Sequence, residues 1–274
     1  MDLDADFEEW TMTEFLCAVN ILFVIASIFR DRYYKIYVPY GRFSNAVKSV
    51  KGGFECRKNQ PVPAKLAWFL MEIPNIILGT YFILRARHVG VYKPMGWVVV
   101  GLFMFHYVIR TFVYSFLLKG SKPMPLDTLS YGIFFTCING SIQTYHHLFE
   151  APGALPVSLG DQIRVGLGIV LFFFGFAMNQ WCDAVLRSLR KDENDTGYYL
   201  PEGTFFNYWS APNLIGEIIE WLGYALVANS SVAFGFFVTT FIIVGHRAVG
   251  HHEWYQKKFD NYPAQRKALI PFVF

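Results

Sequence analysis

Long apolar segments are the feature that most constrains how this chain can fold. A helix needs about 20 mostly apolar residues to cross the roughly 30 Å hydrocarbon core of a bilayer. Seven such segments are predicted, near residues 12–29, 64–84, 95–118, 126–149, 163–182, 212–228 and 231–249. Charged residues make up only 16% of the sequence, against about 25% in soluble domains. The sequence therefore predicts an all-α polytopic membrane protein in which residues 1–274 form a single domain, with six spans as the alternative count.

Lysine and arginine are unevenly distributed between the two sides of this arrangement. If the N-terminus is outside, 18 of the 24 Lys and Arg residues fall in the inner loops or at the inner end of the last span. The outer segments hold only Arg85, Arg87 and Lys93. Cytoplasmic loops carry an excess of these residues, so the pattern predicts seven transmembrane helices with the N-terminus outside and the C-terminus cytoplasmic. It also accounts for the net charge of +3 without a nucleic-acid partner.

Polar side chains recur at helical spacing inside the predicted spans. An ionisable group within a span costs about 2.5–3.5 kcal/mol on insertion scales, so such groups normally face a cavity or a partner. Residues three or four apart share a helix face. Three such stripes lie near the inner ends of the last three spans: Asn179, Asp183, Arg187 and Arg190; Asn213, Glu217 and Glu220; and Arg247, His251 and Tyr255. They predict one shared polar cavity that opens to the cytoplasm.

Further polar residues lie in the second and third spans. Glu72 is the only charged residue of WFLMEIPNI, and Tyr107 and Arg110 share a face of FHYVIRTFVYSF. Structural interpretations stay open for several of these residues. Arg110 can form an ion pair with Glu72, and Glu217 can pair with Arg247 for stability alone.

The residue pattern also bears on cofactor chemistry. GHRAVGHH offers a single H-x₄-H-H group, which cannot furnish a di-iron site, so no metal is expected. The sequence contains neither a Walker motif nor a Gly-rich dinucleotide loop, so side chains would have to hold a dinucleotide. Arg110, Arg190 and Arg247 are available for its phosphates. Asn213 and Glu217 supply the donor and the acceptor that a nicotinamide carboxamide needs.

Several segments carry a resemblance to a known family: AWFLMEIPN, GLFMFHYVIRTFVYSFLLKG, NQWCDAVLRSLRK, GYYLPEGTFFNYWSAPN, and the C-terminal stretch from GEIIEWLGYAL to YPAQRKALIPFVF. They closely resemble steroid 5-alpha-reductases, and YGRF at 40–43 looks like that family's Tyr-Gly-basic motif. The resemblance implies a seven-helix membrane enzyme that uses NADPH to reduce the C4–C5 double bond of 3-oxo-Δ4 steroids. Hydride goes to C5 and a proton to C4. The substrate is expected to enter from the lipid bilayer, in the endoplasmic reticulum membrane of a eukaryote or the cytoplasmic membrane of a bacterium.

The resemblance also implies roles for individual residues. Glu72 and Tyr107 are expected to hold the C3 carbonyl of the steroid as the catalytic pair. The expected cofactor contacts are Asn179, Asp183, Arg190, Tyr198, Asn213, Glu217, Arg247, His251 and Tyr255, and Arg110 joins them as a cation suited to phosphate. The substrate side is expected mainly within residues 12–118 and the cofactor side within 163–274.

Met71 is a departure from the animal members of that family, which have Gln before the Glu. It keeps open related reductases that act on trans-2-enoyl-CoA or polyprenol double bonds. Two alternatives come from other classes: a membrane methyltransferase that uses S-adenosylmethionine, and a non-enzymatic sterol-binding protein.

Overall fold

Seven long helical segments dominate the computed structural model, which describes residues 12–34 and 61–269 of the chain. They are α1 (Met12–Tyr34), α2 (Ala64–His88), α3 (Pro94–Leu117), α4 (Leu126–Tyr145, continued by a π-helical turn over His146–Glu150), α5 (Leu159–Ser188), α6 (Pro212–Ala228) and α7 (Ser231–Lys258). Within the described ranges the only β pairing is two isolated bridges. The all-α prediction is confirmed. The YGRF motif lies outside the described residues.

Four of these helices, α2, α3, α5 and α7, are long and apolar enough to cross a bilayer, with mean hydropathies of 1.5 to 1.7. A polytopic membrane protein is therefore confirmed, and the count of seven spans stays a prediction. α5 and α7 contain 30 and 28 residues, so both run past their predicted inner ends. The polar stripes continue along these extensions. There the helices have left the predicted spans, so their surfaces do not have to be apolar on every side.

Successive helices alternate in direction. The connections between them therefore lie in two groups, at opposite ends of the bundle. At one end, Lys93 donates a hydrogen bond to the carbonyl of Phe149 at 2.8 Å, and His147 Nε2 lies 2.9 Å from Ser230 Oγ. Thr13 at the start of α1 reaches the same end through His146. These contacts join the start of α1 to the α2–α3, α4–α5 and α6–α7 connections.

The remaining described connections meet at the opposite end. Val62 and Met124 form a bridge with both N···O distances at 2.9 Å. Lys65 pairs with Glu193 at 2.7 Å. In the C-terminal segment, the carbonyl of Lys267 accepts a hydrogen bond from the N–H of Ser210 at 3.0 Å. This separation of loops agrees with the predicted topology. Which end faces the cytoplasm stays a prediction.

Glycines bring α5 and α6 into close backbone contact. They recur at a seven-residue interval on each helix: Gly168 and Gly175 on α5, and Gly216 and Gly223 on α6. A Cβ atom on Gly175 would lie 2.3 Å from the backbone nitrogen of Glu220, and one on Gly216 would lie 2.7 Å from that of Asn179. Small residues permit such approach between membrane helices. The contact sets the polar stripes of α5 and α6 directly against each other.

Candidate active site

Two adjoining cavities lie among the helices toward the end of the bundle that holds the α5–α6 connection. The larger has a volume of about 350 Å³ and is lined by residues of α2 to α7. The smaller, about 190 Å³, is lined by the ends of α3 and α5, the loops that follow them, and one residue each of α6 and α7. Both are lined by Asp183, Arg190 and Asn213, so the two cavities share part of their walls and together make up the candidate site space.

The predicted site residues converge on this space. The larger cavity is lined by Glu72, Tyr107, Arg110, Asn179, Asp183, Arg190, Tyr198, Asn213, Glu217, Arg247 and His251. Tyr255 lines the smaller cavity. Tertiary packing therefore gathers side chains from α2, α3, α5, α6, α7 and one loop. Helical spacing had predicted the residues of α5, α6 and α7, whereas Tyr198 was implied by the family resemblance alone. Their individual roles stay predictions.

A π-helical segment in α3 shapes the middle of the site. Over Ile109–Tyr114 the helix widens, a feature that often marks functional positions. Within it, Arg110 Nε lies 3.6 Å from Glu72 Oε1, and Arg110 Nη1 lies 4.0 Å from Asp183 Oδ2. Its guanidinium carbon also sits 4.0 Å from the centre of the Tyr114 ring. Arg110 thus lies within ion-pair distance of Glu72, and it connects the expected substrate side to the expected cofactor side.

Two asparagines and an aspartate form a hydrogen-bonded chain where α5 meets α6. The side-chain amide of Asn179 donates to the backbone carbonyl of Asn213 at 2.9 Å. The side-chain amide of Asn213 in turn donates to Asp183 Oδ1, also at 2.9 Å. The Oδ1 atom of Asn213 is buried and accepts no hydrogen bond from the described residues. Leaving a buried acceptor unsatisfied costs about 1–3 kcal/mol, so this atom is suited to a ligand that donates a hydrogen bond.

Arg190 lines both cavities, and Lys122 lines the larger one beside it. Arg190 donates hydrogen bonds to the backbone carbonyl of Lys119 and to Ser121 Oγ, the latter at 3.4 Å. Its guanidinium carbon and the Lys122 ammonium lie 5.9 and 5.7 Å from the ring centre of Tyr198. Guanidinium groups recognise phosphate through paired hydrogen bonds. This end of the space therefore suits an anionic ligand next to an aromatic ring.

Glu220 is one place where the structure departs from the stripe prediction. It is fully buried rather than facing the cavity, and its Oε1 atom lies 2.7 Å from His106 Nδ1. Three residues along a helix rotate the side chain by about 60° from the direction of Glu217, and the backbone of Glu220 lies against Gly175. His106 itself lines the larger cavity. Sequence reasoning missed His106, because a single histidine in an apolar span carries no periodic signal.

Within the described ranges, no cluster of three or more His, Cys, Asp or Glu side chains is arranged to hold a metal ion.

Comparison with known proteins gives the same family as the sequence resemblance. Residues 122–274, which contain α4 to α7, match the family model for 3-oxo-5-alpha-steroid 4-dehydrogenases. The chain is 43% identical to 3-oxo-5-alpha-steroid 4-dehydrogenase 2 of Macaca fascicularis, over 78% of this chain and 82% of that protein. The human protein of the same name is 42% identical over the same shares. Human 3-oxo-5-alpha-steroid 4-dehydrogenase 1 is 39% identical over 78% of this chain and 81% of that protein. The chain therefore belongs to the steroid 5-alpha-reductase (3-oxo-5-alpha-steroid 4-dehydrogenase) family.

Proposed function

We propose that this protein reduces the C4–C5 double bond of 3-oxo-Δ4 steroids to give 5-alpha-3-oxosteroids, with NADPH as the reductant. The family consists of oxidoreductases that act on a CH–CH group. One observation carries the proposal for this chain: every residue assigned to substrate or cofactor lines one of two adjoining cavities between the helices. A volume of about 350 Å³ falls within the range of roughly 300–1,000 Å³ for small-molecule sites.

Glu72 and Tyr107 form the substrate end of the proposed site. They come from α2 and α3, line the larger cavity and are 7% and 6% exposed. The Tyr107 hydroxyl donates a hydrogen bond to the C3 oxygen of the steroid, and the Glu72 carboxyl does so when it carries a proton. Both bonds withdraw electron density from the enone, which makes C5 electrophilic, and both strengthen as charge develops on the oxygen.

Apolar side chains complete the substrate end. Trp68, Met71, Phe135, Trp221 and Phe236 line the same cavity. Their surfaces accommodate the hydrocarbon rings of a steroid, whose transfer from water is favourable by about 25 cal/mol for each Å² of apolar area buried. The substrate enters laterally from the bilayer, so it does not need to pass through the polar end of the site.

The polar residues of α5, α6 and α7 fit a reduced nicotinamide dinucleotide. NADPH supplies the hydride that C5 accepts. The buried Oδ1 atom of Asn213 accepts a hydrogen bond from the carboxamide N–H, and Glu217 provides a second acceptor. Arg190, Arg247 and His251 provide donors for the phosphates. In this assignment Asn213 and Glu217 would hold the nicotinamide, and the cationic side chains would hold the phosphates.

The topology predicted from the sequence is compatible with the same assignment. With the C-terminus in the cytoplasm, the inner ends of α5 and α7 and the start of α6 face the compartment in which NADPH is made. No dinucleotide then has to cross the bilayer. In a eukaryotic host the protein resides in the endoplasmic reticulum membrane, and in a bacterial host in the cytoplasmic membrane.

Product analysis tests this function. Purified protein is incubated with NADPH and a panel of 3-oxo-Δ4 steroids, and the products are identified by mass spectrometry against 5-alpha standards. Parallel reactions replace NADPH with NADH or S-adenosylmethionine, and the steroid with trans-2-enoyl-CoA or a polyprenol. We expect 5-alpha-3-oxosteroids in the NADPH and steroid reaction. Reduction of enoyl-CoA or polyprenol alone, or methylation, would contradict the proposed function.

A further inference from the structure

A histidine and a carboxylate form a buried pair beside the proposed catalytic residues. His106 Nδ1 lies 2.7 Å from Glu220 Oε1, with side-chain exposures of 6% and 0%. The second carboxylate oxygen of Glu220 is buried and accepts no hydrogen bond from the described residues. A carboxylate buried among apolar side chains is costly unless it is paired. Glu220 therefore favours a positively charged partner, and His106 is the partner that the fold provides.

The other ring nitrogen of His106, Nε2, has no hydrogen bond to the described residues, so it is available to a ligand. His106 lines the larger cavity, and its ring lies 5.0 Å from that of Tyr107 and 4.6 Å from that of Trp221, measured between ring centres. Since Glu220 holds Nδ1, Nε2 is the ring nitrogen that can serve the cavity. A carboxylate that binds one nitrogen of a histidine fixes the orientation of the ring and stabilises its protonated form.

A second buried histidine gives a useful contrast. His147 also lies within the helical bundle, but both of its ring nitrogens are engaged. Nδ1 is 2.7 Å from the carbonyl of Gln143, and Nε2 is 2.9 Å from Ser230 Oγ. His147 lines neither cavity, so its role is to join helix ends. By contrast, His106 lines the larger cavity, and among the described residues only its Nδ1 is hydrogen-bonded.

We infer that His106 donates the proton that C4 takes up during steroid reduction, and that Glu220 positions and charges its ring. The inference rests on the proposed function. As C5 accepts a hydride, the electron pair of the C4–C5 bond moves toward C4 and the C3 oxygen and forms an enolate. The electron pair at C4 then bonds the proton of His106 Nε2, and that N–H bond breaks. His106 is left neutral with its Nδ1 proton toward Glu220, and it regains a proton from water before the next turnover.

The other polar groups around the cavity already have different tasks. Glu72 and Tyr107 hold the C3 oxygen, and Arg110 stays protonated at any working pH. Glu217 and His251, the second histidine that lines this cavity, are assigned to the cofactor. Histidine is the side chain whose ordinary titration range lets it both give and regain a proton near neutral pH. His106 is therefore the proton donor that the site offers without a change in these roles.

Variants of the pair test the inference. We expect His106→Gln to lower kcat by about 10²-fold or more, the usual contribution of a general acid, with unchanged NADPH affinity. Glu220→Gln keeps a hydrogen-bonding group without the charge and should also lower kcat, because the amide no longer stabilises the protonated ring. Added imidazole should raise the rate of His106→Ala, but not that of Tyr107→Phe. His147→Gln is the control for loss of a buried histidine and should keep the kcat of the wild type.

The outcomes separate the two proposals. If wild-type protein reduces no 3-oxo-Δ4 steroid with NADPH, the proposed function itself fails. If the wild type is active and His106→Gln retains its kcat, the proton assignment is wrong. It is equally wrong if His106→Ala binds NADPH normally but imidazole does not restore its turnover. Should His106→Gln fail to bind NADPH, Glu220→Gln decides: a wild-type kcat there overturns the inference, and a lowered kcat with normal NADPH affinity supports it.

Discussion

The contact between α5 and α6 determines the geometry of the proposed cofactor site, and Gly216→Ala tests this directly. A Cβ atom at this position would lie 2.7 Å from both Asn179 N and Gly175 O. Both are backbone atoms, so no side-chain rotation relieves the clash. An ordinary contact begins at 3.4 Å, and the helices must therefore separate locally by about 0.7 Å (3.4 less 2.7).

The size of the effect follows from what this separation does to the hydrogen bonds across the contact. The Asn179 to Asn213 and Asn213 to Asp183 bonds both measure 2.9 Å. A shift of about 0.7 Å carries either bond to roughly 3.6 Å, beyond hydrogen-bonding range. Two lost bonds cost about 1–3 kcal/mol, and overpacking costs a similar amount. We expect NADPH affinity to fall by about 10-fold, equivalent to about 1.4 kcal/mol.

Two measurements on purified protein in detergent test this expectation: the NADPH dissociation constant and the midpoint of thermal unfolding. Gly166→Ala is the matched control, because it lies on α5 and a Cβ atom there meets nothing within 4 Å. That variant should match or exceed the wild type in stability, since Ala is favoured over Gly in a helix by about 1 kcal/mol. If Gly216→Ala has the unfolding midpoint and NADPH affinity of Gly166→Ala, the α5–α6 contact does not shape the site.

Three further predictions concern the catalytic pair, the phosphate contact and the topology. Glu72→Gln and Tyr107→Phe should each lower turnover by about 10²-fold or more, the scale of losing one oxyanion donor, while NADPH binding persists in an equilibrium titration. Arg190→Ala should weaken NADPH binding by about 1.5–3 kcal/mol, the value of a hydrogen bond to a charged group, measured by the same titration. In a variant without native cysteines, a cysteine at the exposed Val157 should react with an impermeant reagent from outside, and one at the exposed Gln265 only from the cytoplasmic side.

Each of these predictions has an outcome that contradicts it. Wild-type turnover in both variants of the pair would remove Glu72 and Tyr107 from the chemistry. Unchanged NADPH affinity in Arg190→Ala would make its contacts to the α3–α4 connection purely structural. Labelling of a cysteine at position 265 from outside would place the proposed cofactor end in the wrong compartment.

Much of the site could be predicted from helical spacing alone. Asn179 and Asp183, and Asn213 and Glu217, are each four residues apart, so each pair had to share a helix face whatever the tertiary fold. The cost of burying polar groups in a membrane then required these faces to meet a cavity or one another. The seven helices were predictable for the same reason, since hydropathy acts on each segment separately.

Features that depend on contacts between helices were not predictable in this way. The Arg110 bridge from Glu72 to Asp183 joins α3 to both α2 and α5, and spacing along one helix carries no information about such contacts. The pair of His106 and Glu220 is a similar case. A signal for the α5–α6 contact did exist: glycines recur at a seven-residue interval on both helices, a pattern typical of close helix packing.

The most direct test of the central claim follows hydrogen atoms into the product. That claim is that one cavity brings a reduced nicotinamide and a steroid enone together. NADPH carrying deuterium at the transferable position is incubated with wild-type protein and a 3-oxo-Δ4 steroid, and the product is examined by nuclear magnetic resonance. We predict the deuterium at C5 on the alpha face and a hydrogen from solvent at C4. A reduced steroid without deuterium from NADPH, or with that deuterium at C4, would contradict this account of the site.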